Sequence, residues 1–432
     1  MNLLELLNNK LFQTTNPYMM KRRTLTLVSI LSLMVISVSL VNCKSEKKET
    51  QSDKSAEKVV AENSKWSERM ALSEIHRFPD PTLLDFQEKS RWSYTNGLVL
   101  QAMSRVVEST PNEKISDYIY DYANRMVKED GTIDTYKLSN YNLDMIKSGD
   151  VLFYLNHKKE ESRFKMAMDT LHQQLIDQPV VSEGGYWHKK RYPHQMWLDG
   201  LYMAEPFHAK YATHFMDDDE AKTTIDKIVL QFDLIEKHSR DPETGLYFHG
   251  WDESKEQRWA NKETGLSEHF WSRGMGWYGM ALVDIIELLP DDHPGKERIK
   301  GYLNQYAEAI IKYQDDTGTW YQVLDLPDRE GNYLEATGTC MFTYTLAKGV
   351  NKGYLPEKFM QHAKKSYEGI LTEFISVEDN GVVNLNRCCG VAGLGGDPYR
   401  DGSFDYYVNE IIRSNDPKGT GPFMMASLAL DR

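Results

Sequence analysis

Between Gly184 and Gly200 the chain reads GGYWHKKRYPHQMWLDG, the densest run of chemistry-bearing side chains in its 432 residues. Asp199 ends that run, directly ahead of a nearly apolar stretch with helical spacing. A carboxyl group set against indoles such as Trp197 is partly desolvated, which favours its protonated form and suits a general acid. A plainer use is open as well, because Asp ahead of a helix is a common N-cap. Asp144, in YNLDMIKSG (141–149), precedes another apolar stretch in the same way, with the same alternative. Two aspartates at one mouth could share a substrate as acid and base. Arg273, in HFWSRGMGW (269–277), lies between Trp271 and Trp277. An arginine there suits a bidentate grip on a carboxylate, and the indoles suit stacking on a sugar face. A surface Arg–Trp stack is the bland version, but the glycines beside it argue for close approach. His249, in LYFHGWD (246–252), is a polar contact or a satisfied structural histidine. Lys189, Lys190 and Arg191 form a cationic cluster, either a solvated loop or a local attraction for an anionic ligand.

These residues need a frame, and from Ser64 onward the dominant hydrophobic period is 3.6. Two kinds of helix alternate. Charged, amphipathic ones cover 64–77, 115–129, 160–176, 220–238, 296–312 and 356–374. Nearly apolar ones begin near Gly97, Met145, Gly200, Gly274, Gly338 and Gly419. Six shielding helices alternating with six buried ones describe an all-α (α/α)6 barrel of six helical hairpins. Its inner helices start at one mouth, where Gly-rich openings admit a ligand and helix N-termini favour anions. No motif recurs at a fixed period, which weakens the competing α-solenoid.

Composition sets the outer limits. With 41% hydrophobic and 27% charged residues, the chain is neither disordered nor a fibrous or disulfide scaffold. Its net charge of −13 argues against nucleic acid or an anionic membrane surface as the main partner. Nine Trp, 25 Tyr and 15 Phe supply either a large core or a sugar-binding cleft. Cys340, Cys388 and Cys389 read as buried small residues, and no His/Cys spacing suggests a metal. Lys21, Arg22 and Arg23 precede an apolar run from Leu25 to Val41 that ends at Cys43, so residues 1–42 read as an export signal with a lipobox. Met19 or Met20 is an alternative start. Cys43 is the expected lipid-attachment site, 43–64 a polar linker, and 65–432 a single catalytic domain. The chain is expected in the periplasm or at the cell surface, touching membrane only through its lipid. Its oligomeric state is not legible.

The motifs HKKRYPHQMWLDGLYMAEPF (188–207), YNLDMIKSG (141–149), FWSRGMGWYGMAL (270–282), EATGTCMFTYTLAKG (335–349) and RDGSFDYYVNEIIRSNDPKGTGPF (400–423) together resemble glycoside hydrolase family 105, which is related to family 88. The resemblance covers essentially everything after Lys65. It implies an unsaturated uronyl hydrolase on an (α/α)6 barrel, with Asp199 as general acid/base and Asp144 as a second essential carboxylate. It further implies that His188, Lys189, Trp197, His249, Trp271, Arg273, Trp277 and Tyr94 line the uronate subsite. The expected substrates are lyase-generated oligosaccharides whose terminal uronic acid carries a C4=C5 double bond, a vinyl ether. Asp199 would protonate C4, then deprotonate a water that adds at C5. A pKa above that of free Asp is expected of such a group. No cofactor is needed. Rhamnose is expected beside the uronate, in sulfated ulvan-type or in pectic fragments, with a lean to the former. The alternatives are an ordinary inverting glycosidase and a non-catalytic glycan-binding lipoprotein.

Overall fold

The computed structural model describes residues 58–159 and 161–430. The expected export signal, Cys43 and the linker up to residue 57 lie outside the described residues. In chain order the long helices are α1 (Trp66–Arg77), α2 (Tyr94–Ser109), α3 (Glu113–Met126), α4 (Asp150–Lys159), α5 (Ser162–Ile176), α6 (Leu198–Phe215), α7 (Asp218–Ser239), α8 (Ser272–Leu288), α9 (Pro294–Ile310), α10 (Ala336–Asn351) and α11 (Lys358–Glu373). A short α12 (Phe404–Asn409) precedes the last, α13 (Pro417–Leu430). The expected alternation holds. Charged helices α1, α3, α5, α7, α9 and α11 each bury one stripe, whereas α2, α6, α8, α10 and α13 bury nearly every residue of their first three turns. Local capping starts several of them: Asn112, Asp217 and His293 accept from backbone N–H groups of α3, α7 and α9.

The buried helices close on themselves. α2 packs on α13, α13 on α10, α10 on α8, α8 on α6, and α6 on the segment Leu143–Gly149, which returns to α2. Contact between the first and last members makes a barrel and excludes the open solenoid. Small residues permit the closure. A Cβ on Gly97 would lie 2.4 Å from Ser148 Cα, and one on Gly338 would lie 2.8 Å from Ser272 Oγ. The second buried element departs from expectation: Leu143–Gly149 is a 3₁₀ turn, and α4 follows directly from it. Toward the C-terminal ends of α2, α8 and α10, Asp284 is gripped by Arg105 (2.8 Å), Lys348 (2.8 Å) and the Tyr344 hydroxyl (2.6 Å). That network fills the end of the ring opposite the helix N-termini.

Three antiparallel two-stranded ribbons, invisible to helical periodicity, decorate the barrel: β1 (Gln195–Trp197) with β2 (Gly250–Asp252), β3 (Ile375–Val377) with β4 (Val383–Leu385), and β5 (Cys388–Cys389) with β6 (Ile412–Arg413). The three cysteines of the described residues are buried and unpaired, as their spacing suggests.

Candidate active site

Backbone pairing assembles the site before any side chain does. The loop after α5 bonds to the segment before the 3₁₀ turn, through Leu143 N to His188 O (3.1 Å) and Lys190 N to Tyr141 O (3.1 Å). This brings His188 and Lys189 to Asp144. The β1–β2 ribbon sets Trp197 opposite Gly250, and Leu198 N donates to His249 O (3.1 Å), which brings His249 to Asp199.

Neither aspartate is a cap. The N-cap of α6 is Trp197, which makes no side-chain cap bond, and Asp199 sits one position inside the helix proper. The 3₁₀ turn is capped by Asn142, whose side chain accepts from Asp144 N (3.1 Å). Both carboxylates are therefore free to face a ligand, close to positive helix ends.

They open into a cavity of about 760 Å³ at the barrel mouth, lined by Tyr94, Asp144, His188, Lys189, Trp197 and Asp199 among others. Asp144 is 12% exposed and Asp199 14%, while their histidine partners are almost completely covered. Asp144 meets His188 Nε2 at 3.1 Å and the Lys189 ammonium still more closely. Burial pushes its pKa up, but Lys189 and then His188 outweigh burial and hold it well below the usual carboxylate range. Asp199 Oδ2 lies 3.2 Å from His249 Nε2, an ion-pair distance outside hydrogen-bonding alignment. Burial raises its pKa too, yet His249 and His188 more than compensate, and the net shift is downward. This corrects the expectation of an elevated Asp199. The indoles do desolvate it, but two imidazoles face it from the other side. Behind His249, the Tyr407 hydroxyl lies 2.8 Å from Nδ1. Burial keeps the Tyr407 proton in place, so Tyr407 donates to Nδ1 and Nε2–H is directed at Asp199.

The structure thus places six of the expected residues in the cavity wall and four behind it. His249 is fully buried and reaches the cavity only through Asp199. Trp271 stacks on Tyr407 (5.8 Å), and its Nε1 donates to Gln322 (3.2 Å). Trp277 stacks on Tyr202 (5.5 Å) and supports Tyr94 edge-on (6.4 Å). Arg273 is 1% exposed, donates to Cys389 O (2.5 Å) and lies over Trp271 (4.7 Å). The expected carboxylate grip by Arg273 is therefore not formed at the surface of the cavity. The guanidinium instead ties α8 to β5.

Other cations do line the wall. Arg91, Lys190, Arg191 and Arg400 join Lys189 there, against Asp85, Asp144 and Asp199. Five cations against three anions make a cationic pocket in an acidic protein. None of the first four is ion-paired among the described residues, whereas Asp85 is held by Arg413. Arg400 is fixed by Gly395 O (2.9 Å) and the Tyr192 hydroxyl (2.9 Å). Arg91, Arg400 and Tyr407 were missed by the sequence reading, although Arg400 and Tyr407 both lie within the 400–423 motif. No group of three or more metal-ligating side chains occurs among the described residues.

Comparison with known proteins agrees with this architecture. The model of Glycosyl Hydrolase Family 88 matches residues 66–432. A family 105 glycoside hydrolase structure from C. acetobutylicum superimposes with a TM-score of 0.81 at 44% identity, covering 85% of this chain and 99% of that one. The protein named unsaturated rhamnogalacturonyl hydrolase YesR of Bacillus subtilis is 27% identical over 69% of this chain and 80% of its own length. Protein Atu3128 of Agrobacterium fabrum is 40% identical over 42% of this chain and 80% of its own length. The unsaturated glucuronyl hydrolase structure from Bacillus sp. GL1 shares the fold, with a TM-score of 0.62 at 13% identity over 85% of this chain and 95% of that one.

Proposed function

Because the chain belongs to glycosyl hydrolase family 88 and is a glycoside hydrolase, we propose that it removes the terminal 4,5-unsaturated uronic acid from lyase-generated oligosaccharides by hydrating the vinyl ether. One observation carries this reading: two aspartates with different partners face one cationic cavity. Asp144 is clamped by an ammonium and stays ionised, which suits holding sugar hydroxyls. Asp199 has only imidazoles for partners, so its charge is easier to change.

The free protein holds Asp199 ionised. An arriving uronate adds negative charge beside it and expels water, and both effects push its pKa back up. Protonated Asp199 then gives its proton to C4, and positive charge develops at C5 and the ring oxygen. The resulting carboxylate takes a proton from a water as that water bonds to C5. The hemiketal opens to a C5 ketone, and the C1 hemiacetal so formed expels the next sugar as an alcohol. The net reaction consumes one water and returns Asp199 to its protonated form.

The finer substrate assignment rests on the wall cations. We assign the uronate carboxylate to Lys189 and its cationic neighbours rather than to buried Arg273. Arg91, Lys190 and Arg191 are left for a second anion on the adjoining sugar. The relatives named unsaturated 3S-rhamnoglycuronyl hydrolase, from Alteromonas and Formosa agariphila, and the Bacillus protein named for rhamnogalacturonyl substrates all support rhamnose at that position. We favour sulfated, ulvan-type fragments over pectic ones, met by a protein exported and anchored at Cys43. A disaccharide panel tests this reading. Unsaturated uronyl-rhamnose should lose its ultraviolet chromophore while the saturated counterpart is untouched, and the sulfated form should show the higher kcat/KM. Cleavage of the saturated form at a similar rate would indicate an ordinary glycosidase, and a preference for the desulfated form would remove the ulvan assignment.

A further inference from the structure

Glu205 lies on α6, six residues beyond Asp199, and is 1% exposed in the barrel interior. No cation faces it, and its Oε2 has no hydrogen-bond partner among the described residues. An isolated buried carboxylate is costly, so this group is neutral, with burial pushing its pKa well above the usual range. A carboxylic acid so placed is a proton donor that the mechanism above does not use.

His188 lies nearby. Its Nε2 meets Asp144, but its Nδ1 is buried and equally unpartnered. Glu205 and His188 line the same small enclosed cavity, together with Leu143, Tyr186, Gly200 and Gln231. Gln231 is already engaged: its Oε1 accepts from Tyr186 N (2.7 Å), and its Nε2 donates to Gly184 O (3.1 Å). Gly200 matters here because a Cβ at that position would come within 3.3 Å of His188 Nδ1. The cavity holds about 10 Å³, the volume of one water molecule. Two orphaned polar atoms around a one-water space are the setting in which ordered water is retained.

We propose that a buried water bridges Glu205 to His188, making Glu205 a positioning residue that keeps His188 neutral. The protonated carboxyl donates to the water, the water donates to Nδ1, and Nε2–H donates to Asp144 Oδ1. Every group in the chain is satisfied, and no net proton moves. The groups facing His188 are Asp144, Asp199 and Lys189, with Trp197 stacked on its ring at 4.5 Å. Asp144 alone would draw a second proton onto the imidazole. A donor at Nδ1 opposes that, because an imidazolium needs an acceptor there. The consequence falls on Asp199, whose pKa is lowered when His188 carries charge. A neutral His188 leaves Asp199 easier to protonate.

The role in catalysis rests on Asp144 and Asp199 serving the site as proposed above, but the bridge itself does not. Two readouts separate them. In a high-resolution crystal structure of the full chain, one ordered water should lie within hydrogen-bond distance of Glu205 and His188 Nδ1. In nitrogen-15 spectra of the same protein near neutral pH, His188 should be a neutral imidazole bearing its proton on Nε2. Glu205→Gln keeps a donor and should preserve that spectrum and hold kcat within about threefold. Glu205→Met removes the donor. It should raise the His188 pKa by about one unit and lower kcat about tenfold, with KM unchanged. No water in the cavity, or a His188 spectrum identical in Glu205→Met and wild type, would overturn the bridge. An intact bridge with unchanged kcat in Glu205→Met would instead overturn its link to Asp199.

Discussion

At the scale of single residues, the two aspartates differ through their partners rather than through their own positions. Each sits one place inside a helical turn, each opens into the same cavity, and each touches a buried histidine. Lys189 makes the difference, because an ammonium in contact fixes a carboxylate's charge whereas an imidazole can share its proton. This assigns a task to Tyr407, which directs the His249 tautomer toward Asp199. A net hydrogen bond contributes about 1 kcal/mol, so Tyr407→Phe should lower kcat about fivefold and leave KM within twofold. An equal rise in KM would mean that Tyr407 shapes binding instead. The aspartates were legible in the sequence because both precede apolar helices amid aromatic residues. Their electrostatics were not. Desolvation by indoles is local in the chain, whereas His249 arrives across a ribbon and Tyr407 lies a further 158 residues along. No spacing rule reports such a meeting. Arg273 shows the opposite failure: its sequence setting suggested a ligand grip, but Cys389 O takes the guanidinium first.

At the scale of elements, helix identity was readable because the outer and inner helices face different solvents. Charged sequence with one apolar stripe belongs outside, and apolar sequence on all faces can only be buried. The 3₁₀ turn at Leu143–Gly149 and the three ribbons were not readable, since segments of two to seven residues carry too few positions to establish a period. Glycine placement could be noticed but not interpreted without contacts. Gly97 meets the backbone of Ser148, so Gly97→Ala should overpack the ring and cost about 1–3 kcal/mol. Gly301, inside α9, is the control, because a Cβ added there would meet nothing within 4 Å. Gly301→Ala should instead stabilise by up to about 1 kcal/mol through helix propensity. Chemical denaturation of both variants checks the pair, and a Gly97→Ala protein as stable as wild type would contradict the close approach.

For the molecule as a whole, charge is distributed against its average. A chain of net −13 presents a pocket wall with more cations than anions, so anionic fragments are repelled generally but attracted at the mouth. Stability has its own pH dependence, seated away from the pocket. His172 and His208 are buried side by side between α5 and α6, with ring centroids 5.4 Å apart. Burial lowers their pKa values to about 4 and about 3. Both lie below the ordinary histidine value, so the unfolded chain binds protons first as pH falls. Stability should therefore be full above about pH 6.5 and decline progressively below it, down through pH 4 and 3. Melting temperatures across that range should fall less steeply in the His172→Gln/His208→Gln variant, and an unchanged slope would place the acid sensitivity elsewhere. The account as a whole rests on one carboxyl group serving first as acid and then as base. Its most direct test is the kcat of Asp199→Asn on an unsaturated uronyl-rhamnose disaccharide, measured beside its melting curve. Loss of a general acid predicts a fall of roughly 10²–10⁴-fold with melting unchanged, and retention of more than about a tenth of wild-type kcat would contradict the assignment.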